Sequence, residues 1–325
     1  MWCFTTSLER YFMQVACPIC NQPSTYNFSS RDLMFNGDER YDYHNCVACH
    51  FVFQHPLPSL EKIATFYPDS YSVYEEQSRL KRISGNRKSI LKKYYGYSQL
   101  STSFFNDFLS PFLKLFSRKF EVSYTNNGKL LDVGCGNGRY LDGMKKLGWQ
   151  TQGVEFNASA VEVCKLSGLT VHHGDLFSAH FESNSFDVIN VSHVIEHVPN
   201  PTAFFSELAR VLNPNGSLIV KTPNSLALGR KLFNTNWYDN DVPRHIYLFA
   251  QQNLFLLAKN CGLEIQQFKT HTTPKIILNS LDYVTENIKT SSKKVKWKRA
   301  LARLYVWLAQ YKQQGDEIFA VFTKQ

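Results

Sequence analysis

Residues 131–138 read Leu-Asp-Val-Gly-Cys-Gly-Asn-Gly, and this stretch decides the fold. It continues an apolar run, Lys129–Val133, that predicts a strand, and it leads into a pattern typical of a helix. The apolar members of the helical pattern are Tyr140, Leu141, Met144 and Leu147. Three glycines between a strand and a helix let the backbone turn sharply and approach a ligand closely. The stretch therefore predicts a ligand-binding loop.

The chain beyond residue 126 alternates short apolar runs with helical patterns, which is typical of a sheet covered by helices. The predicted strands are 129–133, 151–155, 169–173, 186–191, 217–221, 263–269 and 317–323. We therefore predict an α/β fold for residues 126–325, with a seven-stranded Rossmann-like sheet and helices on both faces. A helical insertion is expected at about 275–314.

Three carboxylates near the glycine loop indicate the chemistry of the ligand. Glu155 closes the second strand, where it can accept hydrogen bonds from ribose hydroxyls, and Asp175 follows the third, where a base edge would lie. Asp132 directly precedes the glycines, and it suits a cationic ligand better than a pyrophosphate, which is bound by amide donors. An amino group and a sulfonium are what S-adenosylmethionine presents, so these residues favour it over a dinucleotide.

Together these features resemble the class I S-adenosylmethionine-dependent methyltransferases. The matching segments, which span about 200 residues in the right order, are 132–138, 153–155, 174–176, 186–187, 196–201 and 208–216. The resemblance implies an enzyme that transfers a methyl group from S-adenosylmethionine. It also implies that the last strand, 317–323, runs in the reverse direction.

The resemblance assigns cofactor contacts residue by residue. The methionine part would lie against the loop that contains Asp132, Gly134, Gly136 and Gly138. Glu155 would bind the ribose, and Phe156 would cover the adenine face, although packing at a helix start is the alternative for that side chain. Asp175 and Leu176 would border the adenine edge. Ser192, at the end of the fourth strand, completes the expected cofactor-binding set.

Three histidines are candidates for the general base, because imidazole can accept a proton near neutral pH. His193 and His197 follow the fourth strand, and His245 lies in a conspicuous segment, Asp-Val-Pro-Arg-His-Ile-Tyr-Leu-Phe at 241–249. Each also has a structural interpretation, in which the ring fixes its loop by hydrogen bonds. The sequence does not decide between these roles.

The segment Val-Ile-Glu-His-Val-Pro at 194–199 is similar to ubiquinone-biosynthesis O-methyltransferases, some of which use acidic residues there for a divalent metal. That family tends to carry a Glu where this chain has His193. Because of this departure, a catalytic magnesium ion is not predicted.

Two Cys-x-x-Cys pairs mark the first segment, residues 1–58. Cys17, Cys20, Cys46 and Cys49 can supply four thiolates to one tetrahedral zinc ion. The residues between the pairs alternate polar and aromatic side chains, as in a small β ribbon. So short a segment has little core of its own, and a structural zinc ion would add the missing stability.

Residues 59–125 are predicted to form a helical linker or lid, because apolar residues recur there at spacings of three and four. The later set comprises Phe105, Phe108, Leu109, Phe112 and Leu113, with Pro111 interrupting the pattern. Whether the linker is a substrate lid or a packing element only is left open.

A second amphipathic stretch lies in the expected insertion. Its apolar positions are Trp297, Leu301, Leu304, Trp307, Leu308 and Tyr311, and basic residues surround them. Such a helix can lie on a membrane surface or hold a lipid-linked substrate. The alternative is a helix that packs this stripe on its own domain.

The composition and the cysteine pattern are typical of a soluble, intracellular protein. The formal net charge is +9, and much of it lies in residues 79–93 and 289–303, outside the glycine-rich core. The sequence has no apolar run of bilayer length and no secretory signal at its start, so we expect a cytoplasmic protein. Paired cysteines favour metal and a reducing compartment over disulfides.

The methyl acceptor is the open question. An amino-terminal zinc ribbon before such a domain resembles bacterial enzymes of cell-surface sugar and secondary metabolism, which favours a small-molecule acceptor. A nucleic-acid methyltransferase is the alternative, although the fourth strand is followed by Ser192-His193 and not by an Asn-Pro-Pro-Tyr type motif. A cofactor-binding module without catalysis is a further alternative. The oligomeric state is not predicted.

Overall fold

A computed structural model describes residues 15–67, 84–116, 122–285 and 292–325. Its strands are β1 (Val15–Ala16), β2 (Pro23–Arg31), β3 (Arg40–Cys46), β4 (Val52–Gln54), β5 (Lys129–Val133), β6 (Gln150–Glu155), β7 (Val171–His173), β8 (Phe186–Ser192), β9 (Leu212–Pro223), β10 (Tyr247–Leu248), β11 (Leu263–His271) and β12 (Glu317–Lys324). Its helices are α1 (Leu60–Ala64), α2 (Gly85–Tyr94), α3 (Phe104–Phe116), α4 (Arg139–Lys145), α5 (Ala158–Leu166), α6 (Pro201–Val211), α7 (Leu228–Phe233), α8 (Gln251–Asn260), α9 (Pro274–Val284) and α10 (Ser292–Tyr311).

The central sheet has seven strands in the order β11-β12-β9-β8-β5-β6-β7. β5, β6 and β7 pair in parallel, as expected for strands joined by crossover helices. β12 pairs antiparallel with both of its neighbours, which confirms the predicted reversed strand. All seven predicted strands are present, and β9 is several residues longer than predicted. The predicted α/β class and Rossmann-like sheet are confirmed.

A second sheet is built on the cysteine segment, in the order β1-β2-β3-β4-β10. Its last strand, β10, comes from residues 247–248 and pairs antiparallel with β4. Buried side chains of β2, β3 and β4 share one hydrophobic cluster with residues from the second half of the chain. The members of this cluster are Phe28, Tyr43, Val52, Ala227, Trp237, Val242, Leu248 and Ile276. The ribbon therefore obtains its core from distant parts of the sequence.

The chain divides into two compact units. One contains residues 1–71, 191–210 and 217–325, and the other contains 72–190 and 211–216. This division differs from the predicted segments 1–58, 59–125 and 126–325, which remain a prediction. The two divisions differ because a compact unit is defined by residues that pack together, whereas the predicted segments were defined by changes in residue pattern along the chain.

Helices occupy the described parts of the predicted linker. Ser84 caps α2 by accepting a hydrogen bond from the Arg87 backbone N–H at 3.4 Å, as Ser at a helix start commonly does. Pro111 lies within α3, so the helix continues past it. Phe104, Phe105, Phe108, Phe112 and Leu115 of α3 are each at least 63% exposed. The lid role stays a prediction, and residues 68–83 and 117–121 lie outside the described residues.

Helices α9 and α10 occupy the expected insertion, and α10 buries an unexpected face. Ala302, Tyr305 and Ala309 pack with Ile277 of α9 in a buried cluster. The predicted apolar stripe, including Trp297 and Leu304, is instead exposed. The alternative that this stripe packs on its own domain is therefore wrong for its exposed members. Within the described residues, no helix is both long enough and apolar enough to cross a membrane.

Candidate functional site

The glycine loop has the backbone shape that its sequence predicted. Gly136 and Gly138 adopt left-handed conformations, with φ of 54° and 75°, which side chains other than glycine rarely tolerate. A Cβ on Gly138 would lie 2.4 Å from Leu169 Cδ1, so this glycine is needed for packing at the start of α4. A Cβ on Gly136 would meet nothing within 4 Å. Gly136 therefore has the open surface against which a ligand can lie.

Glu155 ties the glycine loop to the end of β6. One carboxylate oxygen accepts the Gly136 backbone N–H at 2.7 Å, and the other accepts the Asn157 N–H at 2.8 Å. The residue is buried, with 5% of its surface exposed. The carboxylate thus has a structural function that the sequence analysis did not assign to it. Each oxygen retains a second lone pair that could accept a ribose hydroxyl.

Asp132 is held by a partner that the sequence analysis missed. Asn190 of β8 donates from its side-chain amide to the Asp132 carboxylate at 2.7 Å, and both residues are buried. A polar residue inside the apolar run 186–191 was the available signal, because a buried amide needs hydrogen-bond partners. The pair leaves an oriented carboxylate directly before the glycine loop.

The expected adenine contacts differ in exposure. The Phe156 side chain is 77% exposed, so helix-start packing does not account for it. Asp175 forms a local turn in which one carboxylate oxygen accepts the Ser178 N–H at 2.7 Å. Leu176 is buried, with 1% of its surface exposed. Ser192 is half-buried at the end of β8. These four roles remain proposals.

His193 lies between two carboxylates. Its Nδ1 is 3.3 Å from Glu196 and its Nε2 is 2.9 Å from Glu317. Burial alone would lower the pKa of His193, but the hydrogen bonds and charges of the two carboxylates raise it to about 10. The side chain is 42% exposed, and solvent weakens this effect without reversing its direction. His193 is therefore held as an imidazolium, which is a poor starting state for a general base.

Glu196 is the buried anion of this cluster, and the sequence analysis did not assign it a role. Its side chain is fully buried, and one oxygen accepts the Thr222 hydroxyl at 3.0 Å. Burial alone would raise the pKa of Glu196, but the hydrogen bond and charge of His193 lower it to about 2. Glu196 is therefore ionised throughout the physiological pH range.

His197 is positioned by a backbone carbonyl and a hydroxyl. Its Nδ1 lies 2.9 Å from the Arg244 carbonyl and 2.9 Å from the Tyr67 hydroxyl. Because a carbonyl can only accept, Nδ1 carries the proton and Nε2 presents a lone pair when the ring is neutral. Burial and the neighbouring His245 lower the pKa of His197 to about 4. His197 is accordingly neutral at pH 7.

When its ring is neutral, His245 also carries its proton on Nδ1, because that nitrogen faces a backbone carbonyl. Its Nδ1 donates to the Asp239 carbonyl at 2.8 Å, which leaves the lone pair on Nε2. That Nε2 lies 4.0 Å from the Glu196 carboxylate and 3.8 Å from the Asp241 carboxylate. The rings of His245 and His197 are 4.8 Å apart between centroids. The structure thus brings all three predicted histidines around Glu196.

Arg244 connects this cluster to the cysteine segment. Its fully buried guanidinium donates to Asp32 at 2.7 Å and to Asp241 at 2.7 Å. Asp32 follows β2 of the ribbon, and Asp241 faces His245. Burial alone would raise the pKa of Asp241, but the charges of His245 and Arg244 lower it. Asp241 is thereby held as an anion beside the Arg244 guanidinium.

One ligand atom each from Glu196, His197 and His245 lies within 4.8 Å of the other two. Two imidazoles and a carboxylate can bind a divalent transition metal. The same two imidazoles and carboxylate could instead accept and stabilise a proton. The sequence analysis made no prediction of a catalytic magnesium ion.

The four predicted zinc ligands come together. Three sulfur pairs are separated by 3.7 Å (Cys17 and Cys49), 3.4 Å (Cys20 and Cys46) and 3.5 Å (Cys20 and Cys49). Tetrahedral zinc with bonds of about 2.3 Å places its sulfurs roughly 3.8 Å apart, so the cluster is close to the required size.

The two cysteine turns are also alike in their backbones. The Ile19 N–H donates to Cys17 and the Cys49 N–H donates to Cys46, each at 3.4 Å. A left-handed residue follows each pair, Asn21 after the first and His50 after the second. Amide donors directed at sulfur stabilise thiolate ligands. The turns therefore suit a metal better than four neutral thiols.

A family model described as a methyltransferase domain matches residues 103–267, just over half of the 325-residue chain. The ubiquinone biosynthesis O-methyltransferase of Xanthomonas oryzae pv. oryzae is 35% identical over 104 residues, covering 30% of this chain and 43% of that protein. The enzyme of the same name from Azoarcus sp. is 30% identical over 151 residues, covering 42% and 64% respectively. The chain thus spans less than two thirds of the length of these relatives.

The solved structures that match this chain have lower sequence identity than these relatives. A SAM-dependent methyltransferase from Archaeoglobus fulgidus is 18% identical, with a TM-score of 0.43, and the match covers 71% of this chain and 100% of that one. One from Methanosarcina mazei is 15% identical, with a TM-score of 0.44, covering 62% and 94%.

The matched residues 103–267 include the glycine loop, the strand that ends at Glu155 and the turn that carries Glu196 and His197. The chain therefore belongs to the class I S-adenosylmethionine-dependent methyltransferases.

Proposed function

We propose that this protein transfers the methyl group of S-adenosylmethionine to a hydroxyl oxygen of a small-molecule acceptor. Cofactor binding is supported mainly by one observation: Gly136 would have no neighbouring atom within 4 Å of an added Cβ, and its backbone N–H is held by the buried Glu155 carboxylate. Residues fit the group at three points: the oriented Asp132 for its amino end, Glu155 for its ribose and the exposed Phe156 for its base. When bound, the cofactor supplies a methyl carbon activated by a positive sulfur.

The acceptor half rests on the carboxylate and histidine cluster. Transfer forms an oxygen–carbon bond, breaks the carbon–sulfur bond with its electron pair going to sulfur, and releases the acceptor proton. His197 and His245 each face a backbone carbonyl through Nδ1, so Nε2 of the neutral ring can accept the proton, and ionised Glu196 would stabilise the imidazolium that forms on either ring. His193 is better suited to orienting Glu196, since it is already protonated.

The acceptor class follows from the relatives and from one surface. Curated relatives are named for O-methylation in ubiquinone biosynthesis, which supports a hydroxyl on a small molecule. A lipid-linked or sugar acceptor is compatible with this proposal, and α10 exposes an apolar face that suits a lipid. Nucleic acid is not the proposed acceptor, because Ser192-His193 and not an Asn-Pro-Pro-Tyr type motif follows the fourth strand. A cytoplasmic location stays part of the proposal.

The deciding experiment is calorimetric titration with S-adenosylhomocysteine. We expect micromolar affinity for the unaltered protein and at least about a hundredfold loss in Glu155→Ala, since a buried charged hydrogen-bonding group is removed. Glu162→Ala is the matched control, because Glu162 lies exposed on α5 and pairs with the exposed Lys165 of the same helix. Absence of binding to a folded, unaltered protein would refute the proposed activity.

Turnover then separates the two candidate bases. Acceptors from the catechol, sugar and polyprenyl-phenol classes are screened by release of S-adenosylhomocysteine. His197→Ala and His245→Ala should keep cofactor affinity, and the variant lacking the base should lose about 10²–10⁴-fold in kcat. If both variants keep full turnover, the histidines are structural.

We further propose that the four cysteines hold one structural zinc ion. The support is their sulfur spacing and the two amide donors directed at sulfur. Elemental analysis should find one zinc per chain, and Cys46→Ser should lose it together with thermal stability. Cys261→Ser, at a half-buried cysteine of another region, should retain the metal. Full zinc occupancy in Cys46→Ser would disprove the assignment.

A further inference from the structure

Helix α10 presents an apolar face to solvent. Its members are Trp297, Leu301, Leu304, Trp307 and Tyr311, whose exposed fractions range from 47% to 78%. Two of its aromatic rings, Trp307 and Tyr311, stack on one another with centroids 5.8 Å apart. Spacings of three and four place the five residues along one side of the helix. Contiguous exposed apolar surface of this kind marks an interaction site.

The orientation of the helix is fixed by its opposite side. Ala302, Tyr305 and Ala309 are buried in the cluster with Ile277. The Tyr305 hydroxyl donates to the buried Asp316 carboxylate at 2.7 Å, and Lys298 pairs with Asp282 at 3.1 Å. Rolling the helix to bury Trp297 and Leu304 would break these contacts. The apolar face is therefore a stable feature of this unit.

The charge of α10 indicates the partner. Residues 292–311 contain six Lys and Arg and no Asp or Glu. Arg299 and Arg303 are exposed beside the apolar face. Long basic side chains at the edge of a Trp, Leu and Tyr surface suit the boundary between acyl chains and anionic headgroups. A second copy of the same helix would place like charges together, which disfavours a dimer through this face.

We propose that α10 is a membrane-docking helix that lies on an anionic phospholipid surface. Trp297, Leu301, Leu304, Trp307 and Tyr311 enter the interface, and Arg299 and Arg303 contact the headgroup phosphates. Juxtaposed aromatic and basic residues give both the apolar and the electrostatic part of such binding. The proposal concerns where the protein works, and it stands independently of the methyl acceptor.

Vesicle cosedimentation tests the proposal with the full chain. Vesicles of phosphatidylcholine alone are compared with vesicles that contain 30% phosphatidylglycerol, a composition of about one anionic lipid in three. We expect binding to the anionic vesicles, release by about 0.5 M NaCl, and little binding to the neutral ones. Leu301→Gln/Leu304→Gln should weaken binding at least about tenfold, because two apolar side chains leave the interface.

Two further variants complete the design. Arg299→Gln/Arg303→Gln should weaken binding to anionic vesicles about tenfold, as expected for two basic residues near such a surface. Leu166→Gln/Leu232→Gln is the matched control, since both leucines are exposed on other helices. Equal binding by the α10 and control variants would overturn the proposal. The proposal would also be overturned if the protein bound no vesicles and instead formed a dimer that persists in high salt and dissociates in the α10 variants. S-adenosylhomocysteine affinity is measured in parallel, so loss of the docking proposal is distinguishable from loss of the proposed activity.

Discussion

The glycine loop and the histidine cluster are two halves of the proposed chemistry, and they are built in different ways. Residues 131–138 form a local turn, and a single strand end supplies Glu155 to fix it. The cluster around Glu196 instead draws on residues up to 212 positions apart, as in the Asp32–Arg244 pair. A local site can be recognised by spacing alone. A site assembled across the chain depends on packing, so we expect its variants to couple over long sequence distances.

The largest effect should come from the cluster, in Arg244→Gln. The change leaves Asp32 and Asp241 as buried carboxylates without their cation, which costs about 3–5 kcal/mol of unfolding free energy. Urea unfolding measures the loss. Arg210→Gln is the control, because Arg210 pairs with Glu207 near the surface and should cost less than about 1 kcal/mol.

A double variant sharpens this test. Asp32→Asn in the Arg244→Gln background removes one of the two carboxylates that lost their cation. The double variant should therefore lose less unfolding free energy than the sum of the losses of the two single variants. Additive effects would show that the two residues do not depend on one another. In that case the long-range coupling expected of the cluster would be absent.

The glycine loop should respond locally, and two of its three left-handed glycines, Gly136 and Gly138, should respond differently. Gly138→Ala combines backbone strain with overlap against Leu169 and Cys164, and we expect a loss of about 2–4 kcal/mol in unfolding free energy. Gly136→Ala meets no neighbour, so only the strain of about 1 kcal/mol applies. Its Cβ would instead obstruct the ligand. Gly136→Ala should therefore lose more affinity for S-adenosylhomocysteine than stability; unaltered affinity would place the ligand elsewhere.

The pH dependence of stability offers a further test of the cluster. The folded pKa of His197 is about 4, below its ordinary value near 6.5, so the unfolded chain binds the proton more readily. The contribution of neutral His197 is therefore complete above about pH 6.5 and is lost as the pH falls towards 4. Its size is at most about 3 kcal/mol. His197→Gln should remove this slope, whereas Tyr67→Phe, which keeps the imidazole, should retain it.

The smallest effect expected is that of Thr222→Val. This change removes a hydroxyl that donates to Glu196 at 3.0 Å, and it should cost about 1 kcal/mol of unfolding free energy. Thr65→Val removes an exposed hydroxyl from the residue that follows α1 and should stay within about 0.5 kcal/mol. If Thr222→Val behaves like this control, Glu196 is adequately stabilised by His193 alone.

The sequence by itself determined the elements and the local sites. Short apolar runs that alternate with helical patterns predicted all seven strands of the central sheet, because buried strands and amphipathic helices leave different local patterns of apolar residues. The glycine loop and both Cys-x-x-Cys turns were predicted for the same reason: their residues are neighbours in the chain, and glycine and cysteine have few substitutes at such positions. The zinc, cofactor and base assignments are still proposals.

Tertiary structure alone decided what surrounds these elements. The pairing of Asn190 with Asp132, the position of Arg244 between Asp32 and Asp241, and the raised pKa of His193 depend on residues that only folding brings together. The same holds for α10, where the sequence analysis identified one apolar stripe and the structure buries a different face. The buried one is the face whose small Ala302 and Ala309 allow close approach to α9 and whose Tyr305 reaches Asp316. Close packing and a hydrogen bond therefore decided which face of α10 is buried. Neither can be recognised from the periodicity of the chain, so the sequence analysis did not predict this face.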